Sequence, residues 1–444
     1  MFKIGFSKTD LCESLTPKQE IREPIEAIAF YAEDDSNQVI WITLDFMDFN
    51  LAFTNAIRAN IKDQTGLSDS DIHVLTTHNH GGGTPDIKLL AKLCGKCTKD
   101  AKCKARFAKM RFSLTKTDEQ LNILRRLYIP EIGGVSTLYF GACEKNKFNS
   151  SLFAERVVEE IKEGKLCNNI GEKTDRVYQR FDEGDRDIFI IEFVDLDNEP
   201  IGSILRFAAH AVTANRPGSY SSDYPYYARR GVEEKLFGTC MFLNGPCAEI
   251  APAMLDKYEG REQILGSRIA SLAIRGLEDK DFSEVELFSH HKYKINLPVR
   301  WEVLENRVDI PEEMPSELPN RREYLEKIRL NKTLPFLMEK YSEGEEKLSE
   351  EVPVCLGALS FNEVTFAAFP GETFYKTGNF VKDHFCGKNL VTVTEHERTV
   401  MYLPPKEDFL LGGYEPTCKL TAPDSEKILR EESIKALDDY FLKT

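Results

Sequence analysis

Ile72-His-Val-Leu-Thr-Thr-His-Asn-His-Gly-Gly-Gly-Thr-Pro85 is a segment in which a strand pattern changes abruptly into a loop. Its first six residues are mostly apolar or β-branched, which predicts a short buried strand over residues 72–77. The three consecutive glycines that follow allow the backbone to approach another group closely. Ligands in open α/β sheets gather just beyond the carboxyl ends of strands. Two candidate ligands, His78 and His80, therefore lie where a binding site is expected.

Strand and helix patterns alternate on both sides of this segment. Polar turns between β-rich runs predict two hairpins, formed by residues 27–31 with 39–45 and by residues 187–195 with 201–209. Apolar residues at helical spacing predict helices at 50–63, 90–111, 150–163, 228–236 and 264–277. Later strands are predicted at 239–243, 357–359 and 365–369. This mixed order predicts an α/β fold, a layered mixed-sheet sandwich with helices outside and a metal site at the carboxyl-terminal ends of strands.

The domain organisation follows from where the patterns change. Residues 1–290 are predicted to form the main α/β catalytic region, and residues 291–444 the carboxyl-terminal part of the same catalytic unit. A segment rich in Pro, Glu and Lys, around 311–351, is predicted to be a polar helical insertion with a solvated surface. The chain has no internal repeats and no Gly-rich phosphate loop, so a nucleotide-binding fold is not expected.

Composition excludes several classes of function. The 444 residues carry a formal net charge of −15, which argues against sequence-independent nucleic-acid binding. No apolar run is long enough to span a bilayer, and the first residues do not resemble a signal peptide, although prior removal of one would leave the same sequence. Eleven cysteines without a framework spacing suit reduced thiols. We expect a cytoplasmic protein without a transmembrane segment; its oligomeric state is left open.

Three residues at strand ends form a candidate metal site. His78 follows one predicted strand, His210 follows the strand at 201–209, and Glu372 is predicted in the first turn of the helix after the strand at 365–369. The positive end of a helix dipole favours an ionised carboxylate. Two imidazoles and one carboxylate are a typical donor set for catalytic zinc, with one position left for water. Taken singly, however, a His-x-His pair or a glutamate at a helix start more often has a structural role, so both interpretations stay open.

At this point the sequence resembles the neutral, non-lysosomal ceramidase family along most of its length. The matching segments occur in the family's order and are Ile4-Gly-Phe-Ser-Lys-Thr-Asp10, Thr76-Thr-His-Asn-His-Gly-Gly-Gly83, Phe207-Ala-Ala-His-Ala211, Ser222-Asp-Tyr-Pro225, Phe242-Leu-Asn-Gly-Pro-Cys-Ala-Glu-Ile-Ala-Pro252, Phe369-Pro-Gly-Glu372, Tyr402-Leu-Pro-Pro405 and Gly413-Tyr-Glu415. The second of these is similar to the family's Thr-His-Thr-His-Ser-Gly-Pro signature.

The resemblance implies a zinc amidase that cleaves an N-acyl bond. Carried over by position, it implies that His78, His210, Glu372 and Tyr402 surround Zn²⁺. Tyr402 would bind the metal or donate to an oxyanion, and His80 would transfer protons or support the oxyanion. The expected partner is a small-molecule acyl-amide or acyl-ester substrate.

Two positions depart from the family pattern. Ala251 stands where some members carry a serine once assigned as nucleophile, and Glu249 replaces the usual Asp. The chain reaches Thr444 soon after the Tyr402 segment, so we expect a short form without the carboxyl-terminal β-domain. The alternative to an enzyme is a non-catalytic relative that binds a ligand or a partner in the same cleft.

A basic segment follows the histidine loop. Residues 88–111 contain nine basic residues and one acid, Asp100, which suggests that the segment attracts an anionic substrate. The segment also contains Cys94, Cys97 and Cys103, which could bind a second metal with a fourth ligand such as Cys143. If the segment is helical, Cys103 points roughly opposite to the other two, and the thiols are then incidental.

Overall fold

Two β-sheets form the centre of the molecule. The computed structural model describes residues 1–137, 150–166, 184–214, 218–253, 260–342 and 349–443. The long strands of the first sheet are β1 (Lys3–Asp10), β2 (Glu26–Glu33), β3 (Gln38–Leu44), β4 (Ile72–Thr76), β5 (Arg106–Lys116), β6 (Asp187–Asp195), β7 (Pro200–Phe207) and β8 (Thr239–Asn244). Their order is β8-β7-β6-β5-β1-β2-β3-β4, and all neighbours are antiparallel except β7–β8 and β3–β4.

The second sheet is made from residues 288–393. Its strands are β9 (Phe288–Pro298), β10 (Glu351–Phe361), β11 (Val364–Ala368) and β12 (Asn389–Val393). Only the last pair, β11–β12, is parallel. Aromatic side chains from both sheets, among them Phe30, Trp41, Phe361 and Phe366, pack into one buried cluster between them. The two sheets therefore form a sandwich.

Helices cover the outer faces of this sandwich. The long helices are α1 (Leu51–Thr65), α2 (Ile87–Cys103), α3 (Ser150–Lys162), α4 (Asp223–Leu236), α5 (Arg261–Gly276), α6 (Leu318–Ser342), α7 (Tyr375–His384) and α8 (Ser425–Lys443). Short helical turns lie at Cys12–Ser14, Asp69–Asp71, Pro130–Ile132, Trp301–Leu304, Lys406–Leu410 and Tyr414–Thr417. Two-to-four-residue strands lie at Leu15–Thr16, Glu20–Ile21, Thr84–Pro85, Asn122–Leu124, Arg126–Ile129, Gly134–Thr137, Ser219–Tyr220, Ile250–Pro252, Ser283–Glu284, Glu372–Thr373 and Tyr402–Leu403.

The buried clusters confirm the predicted layers. α1 and α2 pack on the outer face of β2–β4, while α4 and α5 pack beside β6–β8. α6 and α8 cover the outer face of the second sheet. The predicted mixed-sheet sandwich with helices outside is confirmed, as are both hairpins. Among the described helices, none is both long enough and apolar enough to cross a membrane.

Two local predictions are wrong. The helix expected over 90–111 ends at Cys103, and the chain from Arg106 continues as β5, because apolar residues at every second position, Ala108, Met110, Phe112 and Leu114, pack into the core between the sheets. Glu372 does not open a helix but lies in a two-residue strand paired with Tyr402–Leu403, and α7 begins at Tyr375. The segment around 311–351 contains the helix α6; its leucines 325, 330, 334 and 337 are buried, and most of its other described side chains are exposed or partly exposed.

Candidate metal centre

A strained loop presents the first histidine. His78 has a φ of +56°, which is unusual for a residue with a Cβ. The flanking backbone fixes this conformation, because Thr77 N donates to Leu44 O at 3.0 Å and Asn79 N donates to Phe46 O at 2.9 Å. The sequence predicted a strand that ends at residue 77 and is followed by polar residues and glycines. In the structure this segment is a turn whose backbone is hydrogen-bonded on both sides of His78.

Each of the two buried imidazoles has one nitrogen that faces main-chain oxygen. His210 Nδ1 lies 2.8 Å from Cys247 O and 3.1 Å from Ile250 O, and His78 Nδ1 lies 3.2 Å from Met47 O. A carbonyl oxygen only accepts, so each Nδ1 carries a proton, and Nε2 is the nitrogen that offers a lone pair whenever the imidazole is neutral. Such contacts are how proteins orient metal-binding histidines.

Both Nε2 atoms point at one carboxylate oxygen. Glu372 Oε2 lies 3.3 Å from His78 Nε2 and 3.4 Å from His210 Nε2. His210 Nε2 is 3.5 Å from the Tyr402 hydroxyl, and His78 Nε2 is 3.4 Å from His80 Nε2. Glu372 Oε2 is buried without a hydrogen-bond partner.

This donor set fits a tetrahedral cation. With both Nδ1 atoms protonated, lone pairs of nitrogen and oxygen face each other, which is unfavourable unless a cation or a proton lies between them. Ligands bound at the usual zinc distances of about 2.0–2.1 Å lie roughly 3.3 Å from one another in tetrahedral geometry. The separations of 3.3–3.5 Å among the nitrogen and oxygen atoms agree with that spacing. His78, His210, Glu372 and Tyr402 are thus brought together, with His80 at their side.

The tyrosine is held by a buried arginine that the sequence analysis missed. Arg125 donates to the Tyr402 hydroxyl at 3.2 Å, to Ala248 O at 2.7 Å and to Glu415 Oε1 at 3.0 Å. Burial raises the pKa of Tyr402 well above its usual value, and the nearby Glu372 carboxylate adds to this. The phenol is therefore neutral and its hydroxyl has a fixed position.

The titratable groups of the site have pKa values that are shifted in different directions. Burial disfavours the charged form of His78, yet the carboxylates of Glu395 and Glu372 hold its pKa well above the usual value. Burial, followed by the charge of neighbouring groups, lowers the pKa of His80 well below its usual value and that of His210 to about 3. Burial raises the pKa of Glu395 to about 7. A site of this kind stores one positive charge, as a proton or as a metal ion.

Glu395 is a second residue that the sequence analysis missed. Its Oε1 atom lies 3.2 Å from His78 Nδ1, opposite the side that faces Glu372. It comes two residues after β12, so the strand-end argument that found the histidines could also have found it. Arg125 follows the strand Asn122–Leu124, which was not predicted because it has only three residues.

The two departures from the ceramidase pattern have structural roles. Glu249 accepts hydrogen bonds from Tyr375 N at 2.9 Å and from Lys376 N at 3.4 Å, so it caps the start of α7. Burial raises the pKa of Glu249 to about 7. Ala251 is fully buried and pairs with Ile123 in a short strand. Its methyl group offers no nucleophile at this position.

A second histidine cluster lies behind the candidate site. His396 Nδ1 lies 3.1 Å from Cys355 O and is therefore protonated, so His396 Nε2 accepts from His73 Nδ1 at 2.9 Å. Glu397 accepts from Lys292 at 2.6 Å. Because Lys292 already supplies the positive charge, this cluster is a hydrogen-bonded part of the core and a poor site for a metal ion.

The three cysteines of α2 do not converge. Cys94 and Cys97 are buried against the first sheet, and Cys103 is exposed at the end of the helix. The proposed fourth ligand, Cys143, lies outside the described residues. Within the described ranges, no cysteine belongs to a group of three or more possible metal ligands. The helical alternative, with incidental thiols, agrees with this arrangement.

An apolar pocket of about 400 Å³ adjoins the histidine loop. Its lining includes Phe46, Phe49, Phe53, Phe336 and Met47, together with the acidic residues Asp48 and Glu339. Met47 connects the pocket to the site, since its carbonyl oxygen faces His78 Nδ1. Only Met47 would separate an apolar group bound in this pocket from the His78 imidazole.

Comparison with known proteins identifies the fold. No family model and no curated protein matches the sequence. Among solved structures, a neutral ceramidase from Pseudomonas aeruginosa matches with a TM-score of 0.65 at 12% identity, over 98% of this chain and 73% of that chain. A ceramidase complexed with C2 matches with a TM-score of 0.65 at 12% identity, over 99% of this chain and 75% of that chain. The chain therefore has the neutral ceramidase fold, as the sequence motifs indicated.

Proposed function

We propose that this protein is a zinc-dependent hydrolase that cleaves an amide bond, or an ester bond, in an acylated small molecule. The observation that carries the proposal is the buried, unpartnered Oε2 atom of Glu372, which faces the bare Nε2 atoms of His78 and His210. The ceramidase fold supports a hydrolase. His78, His210 and Glu372 would hold the ion, with the Tyr402 hydroxyl as a fourth ligand or as a donor to substrate.

A zinc ion bound there supplies Lewis acidity and lowers the pKa of a coordinated water toward neutrality. The chain's own residues then carry the remaining chemistry. His80, whose Nε2 lies 3.4 Å from His78 Nε2, accepts a proton as water adds to the substrate carbonyl. It returns that proton to the leaving nitrogen or oxygen as the bond to the acyl carbon breaks. Arg125 keeps the Tyr402 hydroxyl directed toward the developing oxyanion.

The pocket next to the site suggests the acyl group. Its four phenylalanines favour an apolar chain or ring, and the carboxylates of Asp48 and Glu339 in the same lining disfavour an anionic group. The N-acyl compounds that the resemblance to ceramidases implies carry such an apolar chain. Soluble acylated amino acids or sugars are other candidate substrates, and the basic segment would attract those that carry negative charge.

The first prediction concerns metal and substrate together. Protein purified without chelator should contain about one zinc per chain and should hydrolyse at least one N-acyl compound, with activity lost on chelation and restored by zinc. The assay compares short-chain ceramide in detergent with soluble acylated amino acids and sugars at low and high salt. Bound zinc without turnover of any of these compounds would instead favour the non-catalytic, ligand-binding alternative. Absence of stoichiometric zinc would refute the proposal.

The second prediction concerns the nucleophile. Because Ala251 has no hydroxyl, attack should come directly from water, and enzyme quenched during turnover should show no added acyl mass in intact-protein mass spectrometry. The variant Ala251→Ser serves as the matched comparison, since only that chain offers a hydroxyl at the position. A stable acyl adduct on the unmodified sequence would contradict this mechanism.

A further inference from the structure

The outer face of α2 carries a row of lysines. Lys88, Lys92, Lys96 and Lys99 are all exposed, whereas Cys94 and Cys97 on the inner face are buried. At about 100° per residue the four lysines fall within a sector of roughly 80°, so they form one stripe along the helix. We refer to Lys88, Lys92, Lys96 and Lys99 as the lysine row.

The lysine row has no partner within the chain. Among the described residues, no carboxylate lies within 4.0 Å of any of its four ammonium groups, although most other charged side chains of α1 and β5 are paired. Four unpaired like charges on one face repel one another unless an anionic partner lies opposite. The row is thus complementary to an external anionic surface.

The length of the row indicates an extended partner. From Lys88 to Lys99 the helix rises roughly 16 Å at about 1.5 Å per residue, which exceeds the anionic part of a small substrate. The row contains no arginine for bidentate contacts and no interleaved aromatic ring for stacking on bases, so a nucleic acid would be poorly recognised. Lysines are point charges on flexible stems that suit a planar array of headgroup phosphates.

An apolar feature adjoins the amino-terminal end of the row. Gly83, Thr84 and Pro85 line the phenylalanine pocket, and α2 begins two residues later at Ile87. Phe336, on the opposite wall of this pocket, is 41% exposed. The lining of this pocket also includes Asp48 and Glu339, so the lysine row, and not the pocket, supplies the attraction to an anionic surface.

We propose that the lysine row docks this protein on an anionic lipid surface. Docking needs neither metal nor hydrolysis, so it is separable from the proposed function. Electrostatic attraction to phosphatidylserine-type headgroups supplies the affinity, which is therefore sensitive to salt.

The test is sedimentation of the full chain with vesicles. Phosphatidylcholine vesicles containing about 30% phosphatidylserine should bind the protein, and pure phosphatidylcholine vesicles should bind it far less. The variant Lys88→Gln/Lys92→Gln/Lys96→Gln/Lys99→Gln keeps good helix formers and should lose roughly a hundredfold in partitioning. A matched control replaces four exposed lysines on other elements, Lys235, Lys280, Lys332 and Lys388, with Gln and should bind as the wild type does.

Several outcomes would overturn the proposal. The proposal is wrong if the wild type binds neither kind of vesicle or binds both equally. It is also wrong if the control variant loses as much vesicle binding as the row variant does. Retention of binding in the row variant at low salt would also overturn it. A wild type that ignores vesicles but binds duplex DNA, or that self-associates through the row, would assign the surface to another partner.

Discussion

Replacing Glu372 with Gln should remove bound zinc and reduce hydrolysis by more than about a hundredfold. The carboxylate Oε2 lies within 3.4 Å of both Nε2 atoms and supplies the negative charge among the candidate ligands that would balance the cation. Gln has nearly the same size as Glu but carries no charge. Metal affinity already falls tenfold to a hundredfold when residues that only support the ligands are changed. Metal analysis of the purified variant and turnover under saturating substrate measure the two effects.

Glu249→Gln is the matched control. Glu249 is a buried glutamate in the same region, but it caps α7 through the backbone of Tyr375 and Lys376 and does not face the imidazoles. The amide oxygen of Gln can accept the same hydrogen bonds, so zinc content should stay at the wild-type level. Full zinc occupancy in Glu372→Gln, or an equal loss in Glu249→Gln, would show that Glu372 is not a metal ligand.

The sequence was informative about the site where its residues follow strands. His78 and His210 could be found because strand ends are local patterns, and the strand-end rule places them at one edge of the sheets. Glu372 was found for a reason that the structure does not support. It was expected in the first turn of a helix, but its neighbour is Tyr402, to which it is joined by parallel strand pairing across thirty residues of sequence.

The remaining parts of the site depend on contacts that no local pattern records. Arg125 reaches Tyr402 and Glu415 only because three distant segments meet. The boundary between α2 and β5 was missed because lysines and arginines continue across it, so composition stays basic while the periodicity changes from helix to strand. At such a boundary the spacing of apolar residues is a stronger signal than composition. Over residues 106–116 apolar and polar residues alternate, which indicates a strand.

Replacing Arg229 with Met should lower the free energy of unfolding by about 3–5 kcal/mol, because it leaves buried carboxylates without their cation. Arg229 is fully buried on α4 and donates to both oxygens of Asp45, at 2.8 and 2.7 Å, and to Glu26 at 3.1 Å. Urea unfolding measures the loss. The neighbour Arg230 is a matched control, since it is partly exposed and its pairs with Glu26 and Glu233 are screened by water, so Arg230→Met should cost about 1 kcal/mol or less.

The same buried pair also positions the candidate metal site. The main-chain oxygen of Asp45 accepts from Asn79 Nδ2 at 3.0 Å, and Asp45 Oδ1 accepts from Thr77 at 3.3 Å, so Asp45 holds the loop in which His78 has its positive φ. Arg229→Met should therefore weaken zinc binding as well as stability. Adding Asp45→Asn removes one unpaired charge, and the double variant should regain part of the lost stability. If the double variant is less stable than the sum of the two single changes predicts, the Arg229–Asp45 charge interaction is not what stabilises this loop.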